Sequence, residues 1–217
     1  MGHDSPITFI RQSLRNFRDI GSLAPSSQFL ARGIANQLPE NMPEDYKILE
    51  VGAGTGSLTA AILKRMNGRG HLDLWEISPA FCKVLRKRLS QEPLFRGMHS
   101  RVEVHEGDVR HLPARPHYNA IVSGLPFSNF RPEEVQGFLE HFRALLKPKG
   151  ALIWFEYLAL RKIKSVFVGK ARREQLKGVT DVTRRFIHGN HYRQEIVAIN
   201  FPPARIRHLR FSDRVIG

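Results

Sequence analysis

Between Tyr46 and Glu156, short β-rich runs alternate with stretches whose apolar residues recur at three and four spacing, and no other feature of the sequence constrains the fold as tightly. Each such unit needs a crossover that packs a helix back over its strands, so the chain builds a doubly wound α/β core around a mostly parallel sheet. The candidate strands are Lys47 to Val51, Leu72 to Ile77, Val102 to His105, Ala120 to Ser123 and Ala151 to Glu156. The helical period is clearest over Ser57 to Met66, Pro79 to Leu89 and Pro132 to Leu146, with Ser78 before Pro79 as a start signal and Gly150 as a stop signal. Beyond Tyr157 a basic amphipathic stretch, Leu158 to Leu176, precedes two β-like runs, Thr183 to His188 and Glu195 to Asn200. Gly189-Asn190 between them suits a hairpin, which predicts an antiparallel C-terminal edge.

A chain of 217 residues suits one main domain, here 46–217, with residues 1–45 read as a helical, amphipathic N-terminal cap. Nowhere do 18 apolar residues run together, and Met1 to Pro6 has neither a basic nor an apolar signal region, so no span and no secretory leader are expected. Pro6 stands where a myristoylation signal needs Ser or Thr. The one cysteine, Cys82, excludes an internal disulfide and a cysteine-rich zinc site, which makes the cytoplasm the default compartment. Thirty-four Lys and Arg against 20 Asp and Glu give a net charge of +14 and imply a polyanionic partner, nucleic acid or an anionic membrane surface. The excess is uneven: +10 over residues 158–217 against +4 over residues 1–157.

Glu50-Val51-Gly52-Ala53-Gly54-Thr55-Gly56 falls where the first strand gives way to the first helix. Glycines there let a ligand approach the main chain, and the helix start offers free N–H groups. Ser57 stands where the dinucleotide fingerprint needs its third glycine, so a pyrophosphate ligand is a poor fit. Glu76 closes the second strand 20 residues after Gly56, the place of an acid that takes both ribose hydroxyls in doubly wound folds. A glycine turn alone is compatible with a purely structural bend; Glu76 in register points to a nucleoside.

With Gly107-Asp108-Val109 after the third strand and Ser123-Gly124-Leu125-Pro126-Phe127 after the fourth, these motifs resemble, in order, those of the class I S-adenosylmethionine-dependent methyltransferases over Tyr46 to Tyr157. The resemblance implies a Rossmann-like, seven-stranded sheet and S-adenosyl-L-methionine as cofactor. It implies that Gly52, Gly54 and Gly56 pass along the methionyl part, Glu50 orients its amino group, Glu76 holds the ribose, and Asp108, with Val109, meets the adenine. Carboxylates suit the ribose and adenine roles because they only accept hydrogen bonds.

The loop after the fourth strand selects the methyl acceptor. Amine-methylating enzymes of nucleic acids usually begin this tetrapeptide with Asn, Asp or Ser; here the place is Gly124, unless Ser123 substitutes. Ribosomal RNA adenine dimethylases share the Leu-Pro-aromatic ending and remain the alternative. The chain is more similar to soluble bacterial phospholipid N-methyltransferases acting on phosphatidylethanolamine. Phe9 to Ser27, Ser123 to Pro126 and Asn200-Phe201-Pro202-Pro203-Ala204 carry that likeness. Phe127-Ser128-Asn129 departs from it and leaves an aminolipid such as an ornithine lipid open.

Two segments suit a lipid surface. Ile10, Leu14 and Phe17 recur at helical spacing with Arg11, Arg15 and Arg18 beside them, and Arg161 to Arg173 joins six cations to Ile163, Val166, Phe167 and Val168. The first is also readable as a helix capping the core, the second as an RNA groove, though its stacking aromatics are sparse. A peripheral position on the inner face of the cell membrane is expected.

Methyl transfer to an amine needs a neutral nitrogen, so a base or a desolvating pocket is required. Candidates are Tyr157, at the end of the fifth strand, and His188, His191 and Tyr192 near the expected hairpin. Phe127 and Phe130 either wall the site, offering ring faces to a methylated cation, or pack in the core. Ser26 and Ser27 either close over the cofactor or start a helix.

Overall fold

The computed structural model describes residues 25–158, 169–199 and 203–211. Seven strands form one sheet: β1 Lys47–Val51, β2 His71–Glu76, β3 Val102–Glu106, β4 Tyr118–Ser123, β5 Leu146–Tyr157, β6 His191–Val197 and β7 Ala204–Arg210. Their order is β3-β2-β1-β4-β5-β7-β6. β1 to β5 pair in parallel, and β7 inserts antiparallel between β5 and β6. The helices are α1 Pro25–Ala35, α2 Ser57–Met66, α3 Pro79–Gln91, α4 Pro93–Arg96, α5 Pro132–Leu145 and α6 Lys170–Ile187. The winding reverses between β1 and β4, so the loops leaving their carboxyl ends diverge and open a crevice.

Successive strand residues face opposite sides, and the central strands therefore feed two cores. Ile48, Val122 and Ile153 pack with Leu30 and Ile34 of α1, Ile62 and Met66 of α2 and Leu85 of α3. Leu49, Ile121 and Leu152 pack with Val135, Phe138 and Phe142 of α5 and Val179 of α6. Burial on both faces is why β1 and β4 read as near-continuous apolar runs. Just past α1, the amide of Gln37 donates to Glu195 of β6 at 2.6 Å and ties that helix to the antiparallel edge.

The edge departs from the sequence reading in two elements. Thr183 to His188 is not a strand but the last turns of α6, capped by His188. Val179, Val182 and Phe186 recur at helical spacing and bury against the α5 face, and that packing outweighs the local β-bias of a Thr- and Val-containing run. The Thr183 hydroxyl donates to the Val179 carbonyl at 2.8 Å, so its polar atom is satisfied within the helix. Gly189, with φ of 80°, is therefore a helix stop and not a hairpin corner. The antiparallel pair lies one element later: β6 overlaps the run expected from Glu195, and β7 is a strand without any counterpart in the sequence reading.

The amphipathic segment Thr8 to Leu23, residues 159–168 of the basic stretch, and Asn200 to Pro202 lie outside the described residues. Among the described residues, no helix is long and apolar enough to cross a membrane.

Candidate functional site

The glycine turn leaves β1 at the crevice. Gly52, Gly54 and Gly56 all hold left-handed φ, of 73°, 57° and 86°. At Gly56 the requirement is double, because a Cβ there would also stand 2.9 Å from the Arg88 guanidinium and 3.0 Å from Leu85. Arg88 donates to the Thr55 carbonyl at 2.7 Å, bracing the turn from α3. On the other side the Gly52 N–H bonds the Trp75 carbonyl at 2.8 Å, locking the turn to β2.

Two acids lie at this turn, both buried and both on the α2 face of the sheet. Glu76 accepts from the Gly54 N–H at 2.9 Å and from the Ser78 N–H at 2.8 Å. Burial pushes its carboxyl above the ordinary range, while the Ser78 and Gly54 N–H groups pull it back. Glu50 is sealed beneath the turn, and neither of its oxygens has a hydrogen-bond partner among the described residues. Desolvation drives its pKa to about 8; the neighbouring Thr59 hydroxyl, also buried, lowers it and the charge of Glu76 raises it.

A cleft of about 330 Å³, counting its open mouth, runs from the turn toward β3. Gly52 and Glu76 form one wall, Gly107, Asp108 and Val109 another, and Trp75, Ile77, Leu125 and Phe138 supply apolar surface. Asp108 caps a short 3-10 turn by accepting from the Arg110 N–H at 2.9 Å, and the Arg110 side chain chelates both its oxygens. Burial alone would raise the Asp108 carboxyl; Arg110 overrides it and holds it below the usual range, so an ionised acceptor faces the cleft. Val109 is fixed from α5, its carbonyl 3.0 Å from the His141 ring nitrogen.

The donor set fits a nucleoside carrying an amino acid arm. Glu76 and Asp108 both line the cleft and carry acceptor-only groups, which suits ribose hydroxyls and an exocyclic amine. The orphaned Glu50 carboxyl beneath the turn suits a cationic ammonium that would supply its missing counter-charge.

The family described as "Methyltransferase domain" matches residues 48–150. Ornithine lipid N-methyltransferase of Singulisphaera acidiphila is 32% identical over 149 residues, which span 65% of this chain and 72% of that protein. The chain belongs to the class I S-adenosylmethionine-dependent methyltransferases and is related to lipid N-methyltransferases. This methyltransferase is also similar to ribosomal RNA small subunit methyltransferase A of Synechococcus sp., 33% identical over 106 residues, 48% of this chain but 34% of that protein. An O-methyltransferase from Bacillus cereus, solved in complex with SAH, shares the fold with a TM-score of 0.62 at 13% identity, covering 97% of this chain and 92% of that one. The cofactor of the methyltransferase is S-adenosyl-L-methionine.

The structure brings Gly52, Glu76, Asp108 and Val109 together around the cleft. Ser123 is fully buried, and its hydroxyl accepts from the Leu125 N–H at 3.3 Å, shaping the loop from behind. Ser26 and Ser27 fall in the first turn of α1, their side chains outside the described residues. Tyr157 ends β5 at the crevice side, and burial pushes its phenol up to about 12, so it stays protonated and serves as a hydrogen-bond partner better than as a base. Phe127 is buried against Trp154, ring centroids 6.4 Å apart, and Phe130 packs edge-on to Phe138 at 5.3 Å; both are core rings. His188 is an exposed helix cap next to His191, which pairs with Arg210 level with Ala151, the far end of the sheet from the crevice. The turn expected to carry His188 toward the site is a helix stop, and that is what places it there.

Trp75 and Phe138 line the cleft without a mark in the sequence, and Arg110, which holds Asp108, is likewise missing from the sequence reading. Arg110 alone leaves a usable sign, an Asp followed two residues later by a cation. The apolar lining depends on how α5 sits over the sheet, which no local pattern records.

Proposed function

We propose that this methyltransferase transfers methyl groups to the amine of a membrane aminolipid, phosphatidylethanolamine and its partly methylated forms or an ornithine lipid. The likeness to the ornithine lipid enzyme across 72% of that protein carries the reading. Gly124 agrees with it on physical grounds: a Cβ there would stand 2.8 Å from the Gly52 carbonyl oxygen and 3.3 Å from that of Val51. An Asn, Asp or Ser acceptor for a base amine therefore has no room at this position without main-chain movement.

When bound, the cofactor supplies a sulfonium methyl that is already electrophilic. What remains for the chain is alignment and proton control. The turn from Gly52 to Gly56, Glu76 and Asp108 would hold the cofactor. The Gly124 N–H, which bonds the Val51 carbonyl at 2.8 Å, ties the acceptor loop to β1, and the Ser123 hydroxyl, accepting from the Leu125 N–H, holds the loop's own bend. Apolar Leu125 and the core rings behind it exclude water, and a dry environment disfavours the ammonium form of the acceptor. The cationic excess beyond residue 158 would draw the protein to an anionic bilayer surface.

RNA is the second reading, favoured by the likeness to ribosomal RNA methyltransferase A and by the net charge. Incubation with radiolabelled cofactor and either liposomes or total RNA separates the two. Label in the extracted aminolipid is the expected result; label confined to RNA would end the lipid reading.

A further inference from the structure

Arg172, in the first turn of α6, is half-buried, and among the described residues no carboxylate pairs with it. Among the described residues its guanidinium makes one hydrogen bond, a long one of 3.4 Å to the Asn129 amide oxygen. Burial lowers its pKa, the mark of a charge taken partly out of water. A guanidinium carries five donors, and burying one without an anion is unfavourable.

Its place in the fold is specific. Asn129 belongs to the 3-10 turn that follows Pro126, and Gln175 of α6 donates to the Phe130 carbonyl at 2.7 Å, so α6 is pinned by two side chains to the loop after β4. That loop presents Leu125 to the cofactor cleft and Asn129 to Arg172. A group bound at Arg172 would thus lie across the acceptor loop from the cofactor.

We propose that Arg172 is a specificity-determining residue that binds the oxyanion of the methyl acceptor, the phosphodiester of a phospholipid or the carboxylate of an amino acid lipid. The inference rests on the aminolipid reading and deepens it. An oxyanion a few bonds from the amine would complete the donor fork of Arg172 and fix the nitrogen's reach over the loop. Asn129 holds the guanidinium in readiness and is a positioning residue.

The test uses Arg172→Ala and Arg172→Lys in neutral detergent micelles with phosphatidylethanolamine or ornithine lipid as acceptor, and dihexanoylphosphatidylmethanol, an anion without an amine, as inhibitor. Arg172→Ala is expected to raise KM for the anion-bearing acceptor and the inhibition constant by about 10–100-fold, the range of one charge-assisted hydrogen bond. Cofactor affinity and kcat are expected to hold, and Arg172→Lys to recover part of the loss. A KM shift for one lipid only identifies which oxyanion is read. Unchanged KM and inhibition constant, or an equal fall in cofactor affinity, would overturn the proposal. Methylation of neither lipid by the unsubstituted protein would instead remove the aminolipid reading, and this inference with it.

Discussion

Glu50 is a fully buried carboxyl with no hydrogen-bond partner for either oxygen among the described residues. Its folded pKa of about 8 lies above the ordinary 4.5, so the native state holds a proton that the unfolded chain releases. That contribution to stability is complete below about 4.5 and is lost as pH rises toward 8. Glu50→Gln should flatten this dependence and raise Tm at pH 8 by about 2–4 °C, the shift of ~1 kcal/mol in a chain of this size. The same substitution should weaken cofactor binding by about tenfold or more in calorimetry, because a neutral amide cannot balance an ammonium. A variant that is stabler and still binds normally would show that Glu50 is only a structural acid.

The elements show how far local pattern reaches. β1 and α2 have the bounds that periodicity and the glycine turn imply, because both are set by neighbours in sequence. α6 and β7 do not, since their identity depends on burial against α5 and on insertion between β5 and β6, contacts distant along the chain. The site divides likewise: Glu76 is legible from its spacing to the glycine turn and Asp108 from the family resemblance, whereas the places of Phe138 and Arg172 follow only from packing. Two glycines make the point testable. Gly137 of α5 has open space where a Cβ would go, whereas a Cβ on Gly178 of α6 would stand 2.6 Å from the Pro132 ring. Gly137→Ala should stabilise by about 1 kcal/mol through helix propensity. Gly178→Ala should destabilise by about 1–2 kcal/mol by prising α6 from α5. Denaturant midpoints measure both, and a shared sign would contradict the packing described.

At the scale of the whole molecule, charge and fold are arranged on different parts of the chain. The sheet carries the chemistry, and the +10 excess lies mostly beyond it, partly on exposed positions of α6 such as Lys170 and Lys177. Each cation at an anionic surface contributes about 1 kcal/mol, screened over about 8 Å at physiological salt. Co-sedimentation with vesicles should therefore rise with anionic lipid content and fall between low and high salt. A double Lys170→Glu, Lys177→Glu variant should shift that fall to lower salt without altering cofactor binding. Indifference to lipid charge would contradict the proposed surface role.

The contact between Gly124 and the carbonyls of Val51 and Gly52 joins the two ligand-bearing loops backbone to backbone. On the proposed reading, the main chain rather than a side chain would set the spacing between methyl donor and acceptor amine. A change of acceptor would then fall to residues past Leu125, which itself lines the cofactor cleft.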